Sequence, residues 1–358
     1  MGKKHRVAVG ISGGVDSSVA AYLLKEQGFD VTGVTVLVWR EDGPPESSAS
    51  GLSEARSAAE ALDIPHTIVD FEQIFKEKVI NNFVREYTRA RTPNPCVVCN
   101  RWVKWEALLG AARGLGADFI ATGHYARVEK HPRTGRMAIR AAATEKDQSY
   151  ALYALTQEQL AHTLTPLGAL SKPQVRAIAK EIGLKNAGKP DSQEICFIPH
   201  GGYAAFIAEY AARAGNPADS FAGGDFIDTA GNVIGRHSGL PYYTIGQRKG
   251  LGAFGGRVYV KAMDPDRNTV TLAEDAELFQ SALRAEDVCF MAYTAAEIAG
   301  GVRASAKIRY GHRGAPCTAR FADGALSIEF DSPQRAVTPG QAAVVYGDGF
   351  VLCGGTII

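Results

Sequence analysis

Apolar positions along the first 130 residues fall into short solid runs that alternate with stretches of helical spacing. HRVAVGIS (5–12) carries a short apolar run from Val7 to Ile11 and reads as a buried strand, and SSVAAYLLKEQG (17–28) has the spacing of a helix closed by Gly28. DVTGVTVLVW (30–39) predicts a second strand, and the polar stretch REDGPPESSASG after it a mobile loop. LSEARSAAEALD (52–63) predicts a helix with Ser53 as N-cap. PHTIVDF is a third strand, and EQIFKEKVINNFVREYTRAR a long helix ended by Thr92-Pro93. KWEALLGAARGLG and DFIATGH add another helix and strand. Strands alternating with helices imply a mostly parallel sheet with ligands at the carboxyl ends of its strands, where GISGG (10–14) and TGHY (122–125) fall.

From about Gly201 the pattern changes. GGYAAFIAEYAARAG is one more helix; then short alternating runs and glycine turns take over, as in GDFIDTAGNVIGRH and AAVVYGDGFVLCGGTII. That spacing predicts an all-β tail, a small barrel or sandwich. No internal repeat or low-complexity tract interrupts it.

Length and composition narrow the setting. A chain of 358 residues implies two or three domains, and 46% hydrophobic with 22% charged residues is a globular composition. No apolar run approaches the roughly 20 residues that cross a bilayer. The start, MGKKHRVAVGIS, reads neither as a signal peptide nor as a myristoylation site, so a cytoplasmic enzyme is expected. The net charge of +1 announces no nucleic-acid partner, though a local basic face fits within it. Six cysteines without a secretory signal are packing residues or chemistry, not a disulfide framework.

The stretch GISGGVDSS suits an anion. Gly13 and Gly14 let backbone approach phosphate, the helix N-terminus adds positive potential, and Ser12, Ser17 and Ser18 offer hydroxyls. Asp16 would cap the helix or help hold Mg2+. The dinucleotide pattern G-x-G-x-x-G is not matched, and Val15-Asp16-Ser17 stands where a Walker loop needs Gly-Lys-Ser/Thr. A plain strand–turn–helix connection needs one glycine rather than this set. The stretch resembles the SGGxDS loop of ATP-pyrophosphatase enzymes, which cleave ATP between its α and β phosphates and attach AMP to an oxygen. On that resemblance the missing lysine reflects a leaving pyrophosphate rather than γ-phosphoryl transfer.

RTPNPCVVCNRWVKW (91–105) sets Cys96 and Cys99 in a proline-bounded loop before a helix. Half a zinc site is one reading, but no second C-x-x-C supplies four ligands; a thioredoxin-type pair is another. Cys196 lies in KPDSQEICFIPH and could be a core residue, while Cys289, Cys317 and Cys353 read as packing in β segments.

In order along the chain, SGGVDS, TPNPCVVCN, ATGHYARV, EKDQSYALY, KPDSQEICFI, YYTIGQRKGLG, KIRYGH and TPGQAAVVY resemble the bacterial tRNA-specific 2-thiouridylase family over nearly its whole length. The resemblance implies an α/β fold: a Rossmann-like parallel sheet with the ATP-pyrophosphatase loop over 1–200, a central tRNA-contacting domain over 201–270 and a β-barrel over 271–358. Part of 163–185 is expected to pack with the central domain. It implies sulfur transfer to the wobble uridine of tRNA through an adenylated uridine. Gly10, Ile11, Ser12, Gly13, Gly14, Val15, Asp16, Ser17, Val36 and Gly123 match the ATP positions, with Val36 where other members often carry Met. Cys196 matches the cysteine that takes persulfide sulfur from a relay donor. Cys99 matches its catalytic partner, able to leave a Cys99–Cys196 disulfide, its thiol expected to be lowered in part by a helix N-terminus after residue 100. Asn94, Pro95 and Cys96 match the loop around the flipped base. His124, Lys146, Asp147, Gln148, Arg309, Tyr310 and Gln341 match further tRNA contacts. Arg248 and Lys249 suit phosphate contact or a solvated hairpin turn equally.

Cys96 departs from the family, where some members carry Asp. Cys96, Cys99 and Cys196 then form a set able in number to hold a [4Fe-4S] cluster with one open iron, an alternative sulfur carrier. An ATP-pyrophosphatase amidotransferase or ligase is the rival enzyme, and it needs neither cysteine. An RNA-binding module without activity leaves the phosphate loop unused.

Overall fold

The structure is a computed structural model describing residues 4–38, 49–184, 187–188, 195–198, 202–213 and 221–358. Five parallel strands, β1 (Arg6–Gly10), β2 (Asp30–Leu37), β3 (His66–Asp70), β4 (Phe119–Ala121) and β7 (Thr163–Leu164), stand in the order β3-β2-β1-β4-β7. Val7, Ala8 and Val9 of β1 are buried throughout, as expected of a central strand covered on both faces. Chain order reverses direction between β1 and β4, which opens a crevice at their carboxyl ends.

Helix α1 (Val15–Glu26) starts directly from the glycine turn, and Gly28 past its end has φ +88°, the left-handed stop expected there. Helix α2 (Ala49–Ala61) begins earlier than expected, so Ser53 lies inside it and does not cap it. The expected mobile loop REDGPPESSASG falls largely outside the described residues. Helix α3 runs through Glu72–Phe75, Lys76–Ile80 and Asn81–Thr88, the middle segment wound wider with π-type bonds. It ends before Thr92-Pro93, as Ala90 turns to φ +57°.

The largest local correction concerns the cysteine segment. No loop separates Cys96 and Cys99 from a helix; they are in one. Helix α4 starts at Pro95 and continues through Pro95–Cys99, a π-wound Asn100–Ala107 and Leu108–Gly114. Asn94 caps it, its side-chain oxygen accepting from the Cys96 and Val97 amides at 3.2 and 3.4 Å. Pro95 sits in the first turn, where a missing N–H costs nothing.

Helix α5 (Lys172–Glu181), capped by Ser171, packs on α1 through Val175 and Ala179 against Val15, Val19 and Ala20. That seats it on the helix that follows β1 of the parallel sheet. Helix α6 (Tyr203–Arg213) also turns back, setting Phe206 and Ile207 among Phe75 and Phe83 of α3.

A four-stranded sheet follows, β10 (Tyr259–Asp264), β11 (Thr269–Ala273), β8 (Gly224–Ile227) and β9 (Val233–His237) in that order. The C-terminal part is a closed barrel. β12 (Phe279–Phe290), β15 (Ala325–Arg335), β14 (Ala315–Ala322), β13 (Val302–Lys307), β16 (Ala342–Gly347) and β17 (Phe350–Ile357) pair in sequence, and β12 pairs back on β17. A hairpin from the first half, β5 (Ala126–Lys130) and β6 (Met137–Ala141), extends this sheet by pairing Arg140 with Phe350. The barrel is thus anchored directly to the segment leaving β4.

Candidate active site

The loop after β1 is shaped by its glycines. Gly13 has φ +73°, and a Cβ there would meet Glu54 and Gly51 of α2 within 3 Å. Gly14 takes the N-cap position with an extended backbone and no side-chain cap, leaving the first amides of α1 facing the crevice. The Ser17 hydroxyl donates to the Gly14 carbonyl (3.1 Å) and accepts from the Ser12 amide (3.2 Å), drawing the turn tight. Ser18 donates to the same carbonyl at 3.0 Å.

The turn after β4 closes the other wall. Gly123 lies so near α1 that a Cβ would stand 2.8 Å from the Asp16 carbonyl carbon and the Ser17 nitrogen. Val36 lies two residues beyond the Gly10–Val34 pair, at the same end of the sheet. The ten residues matched to ATP positions therefore gather at the carboxyl ends of β1, β2 and β4, with Ile11 and Val15 turned into the core. Asp16 does not cap α1. Its carboxylate accepts from the Tyr125 hydroxyl at 2.7 Å and from Lys172 Nζ, 2.8 Å from both oxygens. Sequence reading assigned neither partner; TGHY carries Tyr125 in a quoted motif, and nothing local ties Lys172 to a loop 156 residues earlier.

The thiols lie beside this crevice. Phe197 is buried between Phe75, Phe83 and Phe206, with ring centroids 5.3–5.5 Å away, and this wedge fixes the exposed Cys196 next to it. Cys99 is buried in the same aromatic cluster. Burial pushes its thiol up to about 11; Lys104 opposes the rise, and the Cys196 and Cys96 thiols add to it. The lowering expected from a helix N-terminus is overturned, because the helix starts four residues earlier and desolvation outweighs its potential. Cys196 is exposed, yet the protein mass around it still raises its thiol, with Lys104 again opposing and Cys96 adding. Lys104, which sequence reading missed, follows Cys96 and Asn100 at helical spacing. Both cysteines are free thiols, and among the described residues no three His, Cys, Asp or Glu side chains are grouped to hold a metal ion. The Cys96, Cys99 and Cys196 thiols nevertheless lie close enough for their charges to act on one another.

Several of the residues matched to tRNA contacts already have work inside the protein. Gln341 donates from the barrel to the Thr92 carbonyl at 2.8 Å, clamping the chain that leads into α4. Asp147 accepts from the Ser149 hydroxyl (2.8 Å) and from the Ala142 and Ser149 amides, and Gln148 accepts from the Tyr125 amide (2.9 Å). Lys146 is exposed, as is Tyr310, which stands close enough to Lys146, Asp147 and Cys96 for their charges to act on it. Arg309 is exposed and donates to the Arg335 carbonyl at 3.1 Å. Arg248 and Lys249 are exposed on the central domain beside a groove of about 760 Å³. Cys317 and Cys353 are buried as expected, whereas Cys289 is half-buried beside Arg101, 3.9 Å from its guanidinium.

His124, bonded to the Thr122 hydroxyl at 2.8 Å, is held neutral: burial, with Lys104 adding, lowers it to about 3. Since the unfolded ring binds a proton near pH 6.5, stability present above that pH falls as pH drops toward 3, by at most about 1.4 kcal/mol per unit. His124→Gln should flatten the acid side of the melting temperature against pH; an unchanged slope would mean the ring protonates freely in the fold.

A family model described as "tRNA methyl transferase HUP domain" matches residues 5–200. Models described as "tRNA methyl transferase PRC-barrel domain" and "Aminomethyltransferase beta-barrel domain" match residues 218–274 and 280–357. The chain is 49% identical over 363 residues to the tRNA-specific 2-thiouridylase MnmA of Lachnoclostridium phytofermentans, covering 99% of each. It is 47% identical to that of Clostridium perfringens (99% of this chain, 98% of the relative) and 46% identical to that of Clostridioides difficile (99% and 98%). The chain belongs to the tRNA-specific 2-thiouridylase family and is a tRNA-uridine sulfurtransferase.

Proposed function

We propose that the protein thiolates the 2-position of the wobble uridine of tRNA by adenylation followed by sulfur transfer from a cysteine persulfide. The observation that supports it most is the placement of an amide-lined crevice beside Cys99 and Cys196, two free thiols on separate segments of one aromatic cluster.

A uridine carbonyl is a poor electrophile. Its 2-oxygen bonds to the α-phosphorus of ATP, the bond from that phosphorus to the bridging oxygen breaks, pyrophosphate leaves with the electron pair, and the N3 proton is released. Mg2+ bound with ATP would offset phosphate charge, and Asp16 would be the carboxylate to hold it. The terminal sulfur of a Cys196 persulfide then attacks C2 and AMP leaves. The Cys99 thiolate attacks the Cys196 sulfur, giving the thiocarbonyl and a Cys99–Cys196 disulfide that an external thiol reduces. A persulfide donor or relay protein in the cytoplasm loads Cys196.

Residues 10–17, Val36 and Gly123 hold ATP in this reading. Asn94, Pro95, Cys96, His124, Lys146, Gln148, Arg309, Tyr310 and Gln341 line the approach of the flipped base, and Asp147 positions that wall. Residues 1–200 hold the nucleotide and thiols, while 201–270 and 271–358 carry the RNA, with α6 serving the first unit. No helix among the described residues is long and apolar enough to cross a membrane. Labelled sulfur supplied as persulfide should enter tRNA only with ATP, releasing one AMP and one pyrophosphate per sulfur. Uptake of labelled ammonia instead would move the protein to the amidotransferase class.

A further inference from the structure

The loop from Gly10 to Ser18 contains no lysine or arginine, yet a departing pyrophosphate gathers negative charge. Backbone amides meet part of that charge, and phosphoryl chemistry in general also uses a mobile cation. The structure brings one to the loop from elsewhere in the chain. Lys172 is the first residue of α5, and its Nζ lies 2.8 Å from both oxygens of Asp16 in the first turn of α1.

We propose that Lys172 is the cation that receives the pyrophosphate leaving group, supplied by α5 in place of the lysine the loop lacks. This rests on the adenylation reading above.

The stem of Lys172 is well anchored. Ser171 caps α5 and exchanges bonds with Gln174, Pro173 stiffens the first turn, and Val175 and Ala179 seat the helix on α1. The ammonium, by contrast, is a point charge on four methylenes, able to move from a carboxylate to a phosphate oxygen without moving the backbone. Asp16 gives it a resting partner. The side chain is only 11% exposed, so the charge is held at the crevice instead of being lost to solvent. Tyr125 donates to the same carboxylate at 2.7 Å from the turn after β4, so Asp16 stays oriented when the ammonium turns toward phosphate. The pair also removes a net negative charge from the place where ATP must bind. In the step itself, Lys172 neutralises the bridging oxygen as it takes the electron pair of the broken bond; it neither forms nor breaks a covalent bond.

A lysine that merely ties α5 to α1 would behave differently from one that touches pyrophosphate. With Lys172→Met, product inhibition by inorganic pyrophosphate should weaken at least tenfold, and pyrophosphate release at saturating ATP should fall about 10²-fold. Lys172→Arg should restore part of both. A lowered melting temperature with unchanged pyrophosphate inhibition would overturn the assignment. If Lys172→Met does not fold, Lys172→Arg decides alone, since its larger planar head must then shift pyrophosphate inhibition severalfold, and no shift overturns the proposal. Formation of ADP and phosphate by the unsubstituted protein would overturn the adenylation reading itself, a result separable from normal AMP formation with an indifferent Lys172.

Discussion

Cys99→Ser is expected to lower sulfur incorporation into tRNA by at least about 10³-fold while tRNA-dependent pyrophosphate release continues. The substitution changes one atom in a packed aromatic cluster, so the fold should survive. What is lost is a thiolate able to attack the Cys196 sulfur and free the thiocarbonyl. Labelled sulfur should therefore be trapped in this variant between Cys196 and C2 of the uridine, in a covalent protein–tRNA adduct that an added thiol cleaves, whereas Cys196→Ser should never take up the label. Normal incorporation by either variant removes the assigned chemistry. The raised thiol adds a second readout. With Cys99 near 11, its thiolate fraction is small at pH 7 and grows about tenfold per unit. Sulfur transfer should rise with the same slope from pH 7 to 10. Were the thiolates already held by iron, the rate would be flat across that range, because metal-bound thiols no longer titrate.

The expected slope also shows where sequence reading stopped. Thr-Pro-Asn-Pro looked like an element end, because X-Pro bonds disfavour helix before proline. Here the second proline opens a helix that Asn94 caps, which puts Cys99 inside an aromatic cluster built from α3, α6 and the Cys196 turn. Burial of that kind depends on contacts far along the chain, and periodicity carries no record of them. The glycine turn was legible for the opposite reason: strand, turn and helix are local, and each glycine has a local steric cause. The same division explains the barrel. Its alternating strands were visible, but the β5–β6 hairpin joins it through an Arg140–Phe350 pairing that no local pattern specifies. Ser53 looked like a cap because the helical residues before it include Ser50 and Gly51, which favour turns over helix. Lys172 and Tyr125 were present in plain view, without anything to say that both converge on Asp16.

Gly123→Ala is the second large effect. Gly123 is not needed for an unusual backbone angle, since it is absent from the positive-φ glycines. It is needed for closeness: the added methyl would sit 2.8 Å from backbone atoms of Asp16 and Ser17, and 3.0 Å from Asp16 Cβ. Neither backbone can yield as a flexible side chain would, so the β4 turn and the first turn of α1 must separate. That shift moves the Ser17 amide and the Asp16–Tyr125 bond together, and displacements of about 1 Å at a reacting centre cost about 10²-fold. Pyrophosphate release should fall by about that factor, ATP should bind more weakly, and overpacking should lower stability by about 1–3 kcal/mol. Loading of sulfur on Cys196 should persist, because the Phe197 wedge that positions it does not involve the turn. Gly110→Ala makes the control: the glycine lies within α4 with open space where the methyl would go, so activity should hold and stability should rise slightly. If Gly123→Ala binds ATP and releases pyrophosphate as the unsubstituted protein does, the turn after β4 is not a wall of the nucleotide site, and the crevice must be drawn from the glycine loop alone.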